Sequence, residues 1–299
     1  VREAVYGLPL LELAEPGAGA TQVSPLSPGA ESLEGLADAA LDRFVVAAPP
    51  GAIERRYVLA QALRALAPGA ELIALAPKTR GGARLAGELA AFGCEIAESA
   101  RRHQRICRCL RPLEPSGVAE AIAAGAPRFV PALGLWTQPG VFSWDRLDPG
   151  SARLVQALPP LSGRVADLGC GVGVLALAAL TSPKVSEITL IDIDARAVAA
   201  ARRNVTDPRA VFVQADARTA PLSGLDVVIM NPPFHAGGRE QRDLGAQFIA
   251  AAARMLRKGG VCLMVANAAL PYEASLMAAF AKVRLVERAG GYKLYEAKA

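Results

Sequence analysis

Histidine is nearly absent from this chain of 299 residues: His103 and His235 are the only two, too few for a histidine-built metal centre. The five cysteines, Cys94, Cys107, Cys109, Cys170 and Cys262, include no Cys-x-x-Cys pair, so reduced structural thiols are expected rather than a zinc or redox site. No apolar run reaches the length of a membrane span, and the first residues lack the basic, apolar and small-residue order of a secretory leader. These absences lead us to expect a soluble, cytoplasmic protein with no metal and no membrane partner, and a monomer is expected besides. What is present is apolar: a hydrophobic content of 52% excludes general disorder, and the length suits two ordinary domains.

Charge is unevenly placed. Residues 1–130 carry 14 basic and 14 acidic side chains, whereas 131–299 carry 19 against 14, so the whole net charge of +5 sits in the second half. Within the neutral half, Lys78, Arg80, Arg84, Arg101, Arg102, Arg105, Arg108 and Arg111 are opposed locally only by Glu88, Glu95 and Glu98. Such a concentration suits a polyanion such as RNA, or is the compositional habit of a chain rich in Arg and Ala.

Hydrophobic periodicity divides the chain into two α/β halves. Residues 1–40 show only short apolar runs such as Leu8 to Leu13. From there "RFVVAAP" (43–49), "IERRYVLAQALRAL" (53–66), "ELIALAP" (71–77), "ARLAGELAAFG" (83–93) and "QRICRCL" (104–110) read as strand, helix, strand, helix, strand, which predicts a parallel layer. Pro112, Pro115 and Pro127 then punctuate the chain, and we place domains at 1–128 and 129–299. The second half repeats the rhythm: strands at 164–168, 187–193, 210–216, 225–230 and 261–267, with helices beginning near 174 and at 195–205, 245–260 and 272–281. The helix at 245–260 is expected to be closed by Gly259 and Gly260. Two strand-like runs joined at Gly290-Gly291 close the chain as a hairpin.

"VADLGCGVGVLAL" (165–177) puts Gly169, Gly171 and Gly173 between a strand and a helix, where glycine permits a tight turn and close approach of a ligand. Asp167 stands just before this loop. Asp192 ends the next strand, where a carboxylate can accept hydrogen bonds from both hydroxyls of an adenosine ribose, with Ile193 beside it. Asp194 lies beyond that strand and is expected to cap the helix from Ala195. Asp216, followed by Ala217, ends the third strand and either faces an adenine amino group or caps its own loop.

Behind the fourth strand comes "MNPPFH" (230–235), two prolines that stop an apolar run abruptly. Asn231 offers a side-chain oxygen and Pro232 a main-chain carbonyl, so together they can accept both N–H donors of a planar amino group. Pro233 restricts the turn, Phe234 can stack on the acceptor plane, and His235 either takes up a released proton or stands aside in solvent.

The glycine loop, the acidic strand ends and the closing hairpin resemble the class I S-adenosylmethionine-dependent methyltransferases, and "NPPF" resembles their signature for planar nitrogen. Together with "QPGVFSWDRLDPGSARLVQALP" (138–159), "GGVCLMVANAALPY" and "GGYKLYEAK", the second half is similar to the two-domain ribosomal RNA guanine-N2 methyltransferases, particularly those of the small subunit. The resemblance is weaker in the first half, at "APKTRGGARLAGEL" (76–89), which has no glycine loop after Val46 and no Asn-Pro-Pro-aromatic segment.

That likeness implies two tandem Rossmann-like domains. The C-terminal one would be a seven-stranded, mostly parallel sheet ending in an antiparallel hairpin, and the N-terminal one a degenerate copy that supports folding or RNA binding. It implies S-adenosylmethionine as cofactor, held by Asp167, Gly169, Gly171, Gly173, Asp192, Ile193, Asp216, Ala217 and Asn231. Ribosomal RNA or the small ribosomal subunit would be the partner, and Asn231, Pro232, Pro233 and Phe234 the catalytic residues. Phe142, Ser143, Phe234, His235, Lys78, Arg80 and Arg84 would touch substrate, with Asp148 to Ser151 bordering the pocket. Trp136 and Trp144 read as stacking or as packing residues. The planar-nitrogen signature also fits adenine N6 or a protein glutamine, and a non-catalytic RNA-binding ribosome assembly factor is the rival outside enzymology.

Overall fold

The computed structural model describes residues 2–233 and 239–299, and in 239–242 the backbone alone. Phe234 and His235 lie outside the described residues. The chain forms two compact units, one of Val1–Pro127 with Gln138–Gly140, the other of Arg128–Thr137 with Val141–Ala299. No described helix is long and apolar enough to cross a membrane.

The first unit contains β1 (Glu3–Tyr6), β2 (Thr21–Gln22), β3 (Leu41–Ala47), α1 (Ala52–Ala65), β4 (Leu66–Pro77), α2 (Ala83–Ala90), β5 (Ala97–Arg101), β6 (Gln104–Leu110) and α3 (Val118–Gly125). Its sheet runs β2-β1-β3-β4-β6-β5. β1 to β4 are mutually parallel where they pair, but β6 is antiparallel to both β4 and β5. The sequence pattern predicts an all-parallel layer here, and the structure corrects it. The cause is β5, whose five residues are all exposed and carry no apolar alternation, yet which turns the chain back on itself. Residues 1–40 supply the parallel strand β1, whose four residues are all buried.

The second unit opens on a small hairpin, β7 (Arg128–Val130) and β8 (Leu135–Thr137), followed by α4 (Pro149–Ala157) and β9 (Gly163–Leu168). Then come α5 (Val174–Ala179), β10 (Val185–Asp192), α6 (Ala195–Asn204), β11 (Ala210–Gln214) and β12 (Leu225–Met230). The unit ends with α7 (Arg239–Met255), β13 (Leu256–Asn267), α8 (Glu273–Ala279), β14 (Lys282–Ala289) and β15 (Tyr292–Lys298). Seven strands run β11-β10-β9-β12-β13-β15-β14, parallel except for β15 and β14. Because both faces are covered, the central strands carry apolar side chains on both sides. Val228 and Met230 pack with Phe248 and Met255 on one side, while Val227 and Ile229 pack with Leu175 and Ala201 on the other. The helix α7 ends at Met255 rather than at the glycines, since Leu256 already pairs with Leu225 across a bulge. Gly290 and Gly291, at φ +54° and +82°, make the two-residue turn between β14 and β15.

The two sheets are variants of one topology. In each, the chain passes from a central strand to its neighbour (β3, β12), through a helix (α1, α7), to a strand of 12 residues (β4, β13), then through a helix (α2, α8) into an antiparallel pair at the edge. The first unit is therefore a shortened copy. Where Asn231-Pro232-Pro233 leaves β12, Ala48-Pro49-Pro50-Gly51 leaves β3, so the amide is replaced by a methyl group.

The carbonyls of that second proline corner are occupied. Arg55, 1% exposed, donates from Nη1 to the oxygens of Pro49 (3.2 Å) and Pro50 (2.7 Å). Its Nε and Nη2 each donate to the Glu88 carboxylate at 2.6 Å. Gly81 lies against this guanidinium, where an added Cβ would stand 2.2 Å from Nη1. A planar N–H donor from the chain itself thus fills the degenerate corner. Removing one partner of a buried ion pair leaves the other charge uncompensated, so Arg55→Ala is expected to cost about 3–5 kcal/mol. Urea unfolding followed by circular dichroism checks this, and an unchanged midpoint would rule the pair out as a stabilising plug.

Candidate active site

At the carboxyl end of β9 the backbone turns through Gly169, Gly171 and Gly173, at φ +73°, +52° and +92°. The glycines serve different ends. A Cβ at Gly173 would stand 2.9 Å from Val205 Cγ2, so this glycine lets α5 pack against the end of α6. A Cβ at Gly171 would meet nothing within 4 Å, so the space before this turn is open to a ligand. The N–H groups of Gly169 and Cys170 both donate to the Ile191 carbonyl at 2.9 Å, tying the loop to β10.

Asp192 is held between the loop and the next helix. Its Oδ2 accepts from Gly171 N and its Oδ1 from Asp194 N, both at 2.9 Å, which leaves each oxygen a lone pair for a hydroxyl donor. Asp194 caps α6 through Arg196 N at 2.9 Å and pairs with the same residue's guanidinium at 2.8 Å. Burial raises the Asp192 pKa, while the N–H groups of Asp194 and Gly171 oppose the rise. Asp167 is more extreme: it is fully buried, and neither carboxylate oxygen has a hydrogen-bond partner. Burial first, and the charge of Asp192 second, push its pKa up to about 8; the Ala176 N–H opposes this without reaching hydrogen-bond geometry.

Asn231 follows β12 directly. Its Nδ2 donates to Asp148 Oδ2 at 2.8 Å and to Ser151 Oγ at 2.9 Å. A carboxylate only accepts, so the amide nitrogen must face Asp148 and the oxygen must face away from it. That Oδ1 is buried and has no partner. Asp148 is itself the N-cap of α4, accepting from Ser151 N at 2.7 Å, with Pro149 at the first helical position. Gly150 lies under Tyr292, whose Cε1 would be 2.7 Å from an added Cβ. The crevice beside these groups is lined by Leu135, Phe142, Arg146, Asp148, Gly171 and Asn231.

Residues 132–296 match the family described as the methyltransferase small domain. The ribosomal RNA small subunit methyltransferase C of Pseudomonas entomophila (strain L48) is 32% identical over 271 residues, covering 88% of this chain and 81% of the relative. That of Escherichia coli O1:K1 / APEC is 35% identical over 263 residues, covering 86% and 75%. The chain belongs to the ribosomal RNA small subunit methyltransferase C family. The solved T. thermophilus 16S rRNA N2 G1207 methyltransferase, in complex with AdoMet and guanosine, shares its fold with a TM-score of 0.79 at 24% identity, over 100% of this chain and 88% of that one.

In this methyltransferase Asp167 and Asp192 stand at the ends of the paired strands β9 and β10, and Asn231, after β12, shares the crevice with Gly169 and Gly171 of the glycine loop. Pro232 is buried and Pro233 half-buried behind it. Phe142 is 48% exposed at the crevice wall, and Ser143, at φ +55°, donates from Oγ to the Arg146 carbonyl at 2.7 Å. Ile193 is exposed and Ala217 buried. Asp216 follows β11, but its carboxylate holds Arg218, at 2.9 Å to the backbone N and 2.6 Å to Nη2, and this pairing lowers its pKa. Lys78, Arg80 and Arg84 belong to the first unit, exposed on the turn Lys78–Gly82 and the start of α2, with no ion pair among the described residues. Among those residues no group of three or more His, Cys, Asp and Glu is placed to hold a metal ion.

Sequence reasoning missed Asn204. Its side chain accepts from Trp136 N at 2.7 Å and donates to the carbonyls of Trp136 and Val172 at 2.9 Å, fastening β8 to the glycine loop. An asparagine at a helix end reads as a terminator, and nothing in the pattern points across 68 residues to Trp136.

The raised pKa of Asp167 has a sign. The folded protein keeps a proton that the unfolded chain, at the ordinary 3.8, releases, so stability is lost as pH rises from about 4 to about 8. Asp167→Asn is expected to flatten that slope in urea titrations across the window, and a slope equal to that of the parent protein would contradict the burial argument.

Proposed function

We propose that this chain transfers the methyl group of S-adenosylmethionine to the exocyclic N2 of a guanosine in 16S, small-subunit, ribosomal RNA. The reading rests above all on Asn231, a residue of the crevice lining whose Nδ2 is held by Asp148 and Ser151 and whose Oδ1 is buried without a partner. It is supported by the relatives named above and by the guanosine and AdoMet held by the T. thermophilus enzyme.

A guanine amino group delocalises its lone pair into the ring and is a poor nucleophile. Asn231 Oδ1 and the Pro232 carbonyl accept its two hydrogens, which aims the lone pair out of the plane, and the two prolines keep both acceptors still. S-adenosylmethionine supplies a methyl group already activated by a positively charged sulfonium. N2 forms the new bond to that carbon as the carbon–sulfur bond breaks and its electron pair returns to sulfur; the surplus N2 proton leaves to solvent or to His235. Orientation therefore supplies much of the rate. Asp192 takes the ribose hydroxyls on its remaining lone pairs, and the backbone at Gly169, Gly171 and Gly173 lets the cofactor approach closely. Ile193, Asp216 and Ala217 border the adenosine end, and Asp216 must share its carboxylate with Arg218. Phe234 stacks on the base, contributing about 1–3 kcal/mol, and Phe142 and Ser143 border it.

The span 129–299 is the catalytic domain and 1–128 the degenerate one. In the latter, Ala48 replaces the asparagine and Arg55 fills the proline corner, so its contribution is to RNA binding or support, with Lys78, Arg80 and Arg84 on phosphates. The enzyme acts as a cytoplasmic monomer on ribosomal RNA or the small subunit.

Incubation of the protein with labelled S-adenosylmethionine and 16S ribosomal RNA, followed by nucleoside mass spectrometry, is expected to yield N2-methylguanosine. Label in N6-methyladenosine or in protein would overturn the assignment. Asn231→Ala should abolish transfer while cofactor affinity largely survives. Asp148→Ala should lower kcat by about 100-fold, the order expected when a reacting group is mispositioned by 1 Å, without weakening cofactor binding. Unchanged kcat in Asp148→Ala would remove it as a positioning residue.

A further inference from the structure

Aromatic side chains make up 5% of the sequence, and the fold buries most of them. Among the described residues the exposed rings are Phe129 (49%), Trp136 (36%) and Phe142 (48%), all within the stretch 129–142. A tryptophan is normally placed where its large apolar area is removed from water, so this arrangement forgoes burial. Phe129 and Trp136 are register partners across β7 and β8, hence on one face of the hairpin, with ring centroids 6.2 Å apart and planes at 64°. Arg203, exposed on α6, lies over the Trp136 ring at 4.6 Å. Its neighbour Arg202 lies over Phe212 at 4.9 Å. Neither arginine has a carboxylate partner among the described residues.

This surface is fixed in place and adjoins the crevice. The Asn204 carboxamide holds both the N–H and the carbonyl of Trp136 and, through Val172, joins the hairpin to the glycine loop. Leu133 and Leu135 of the same hairpin, and Phe142 after it, line the crevice that contains Asn231. Exposed rings interleaved with uncompensated guanidinium groups offer stacking planes to bases and positive charge to phosphates.

The geometry points to Phe129, Trp136 and Arg203 as a stacking site for unpaired RNA bases that flank the methylated guanosine. The inference rests on the proposed RNA substrate and extends it: a guanine that reaches Asn231 must leave its helix, and neighbouring bases freed with it need a surface to receive them. The site binds by base plane and charge, so it takes single strands with little regard to sequence and gives no purchase to a stacked duplex.

The test uses the full chain with a fluorescent single-stranded RNA and the same sequence as a duplex, for Phe129→Ala, Trp136→Ala and Arg203→Gln, with S-adenosylmethionine affinity as the control for folding. Phe129 and Arg203 are exposed, so the outcome does not depend on Trp136→Ala folding. Each aromatic variant is expected to lose about tenfold or more in single-strand affinity, with duplex and cofactor affinity unchanged. Arg203→Gln should also lose single-strand affinity and lower its salt dependence. If the parent protein methylates 16S ribosomal RNA while the variants bind single strands equally well, the stacking site is wrong and the rings belong to a protein contact. Equal losses on duplex and single strand would also overturn it, and a parent protein that methylates no RNA would overturn the substrate assignment itself.

Discussion

A side-chain amide has a donor end and an acceptor end, and what Asn231 can still bind depends on which end is committed elsewhere. Asp148 can only accept, and it takes the Nδ2 donor together with Ser151, which leaves Oδ1 buried and unpaired. An unsatisfied buried acceptor costs about 1–3 kcal/mol. The fold sustains that cost with a rigid corner: prolines fix the backbone behind Asn231, the cap of α4 fixes Asp148, and Tyr292 closes over Gly150. The amide is oriented by the protein's own hydrogen bonds.

The first unit solves the same corner in the opposite way. Its prolines also end a parallel strand beneath a long helix, but Ala48 offers no acceptor and Arg55 fills the main-chain carbonyls with its own planar donors. Glu88 neutralises the guanidinium, and Gly81 leaves room for it. One architecture thus carries an open acceptor corner in one copy and a self-satisfied one in the other. The closed copy buries a charge pair beside its proline carbonyls, where the open copy leaves the Asn231 Oδ1 without a partner.

Much of this was legible in the sequence because the central strands of the second unit are buried on both faces and read as largely apolar runs that end in glycines, acids or prolines. The first unit was less legible. Its edge strand β5 is exposed at every residue, so no alternation announced the hairpin that reverses β6. The strand β1 is only four residues long and lies in a segment dominated by Gly, Pro and Ser. At the site, spacing located Asn231, Asp192 and the glycine loop, but the orientation of an amide is set by partners 80 and 83 residues away, which no local pattern contains. The same holds for Asn204, whose role depends on Trp136, and for the engagement of Asp216 by Arg218, a choice between ligand and neighbour made by geometry.

The central claim is that Asn231 is held with its oxygen toward the acceptor nitrogen. A crystal structure with S-adenosylhomocysteine and guanosine measures this directly. The account predicts guanine N2 within hydrogen-bond distance of both Asn231 Oδ1 and the Pro232 carbonyl, with Nδ2 still on Asp148. An N2 bound elsewhere, or an amide rotated so that Oδ1 leaves the crevice, would contradict it.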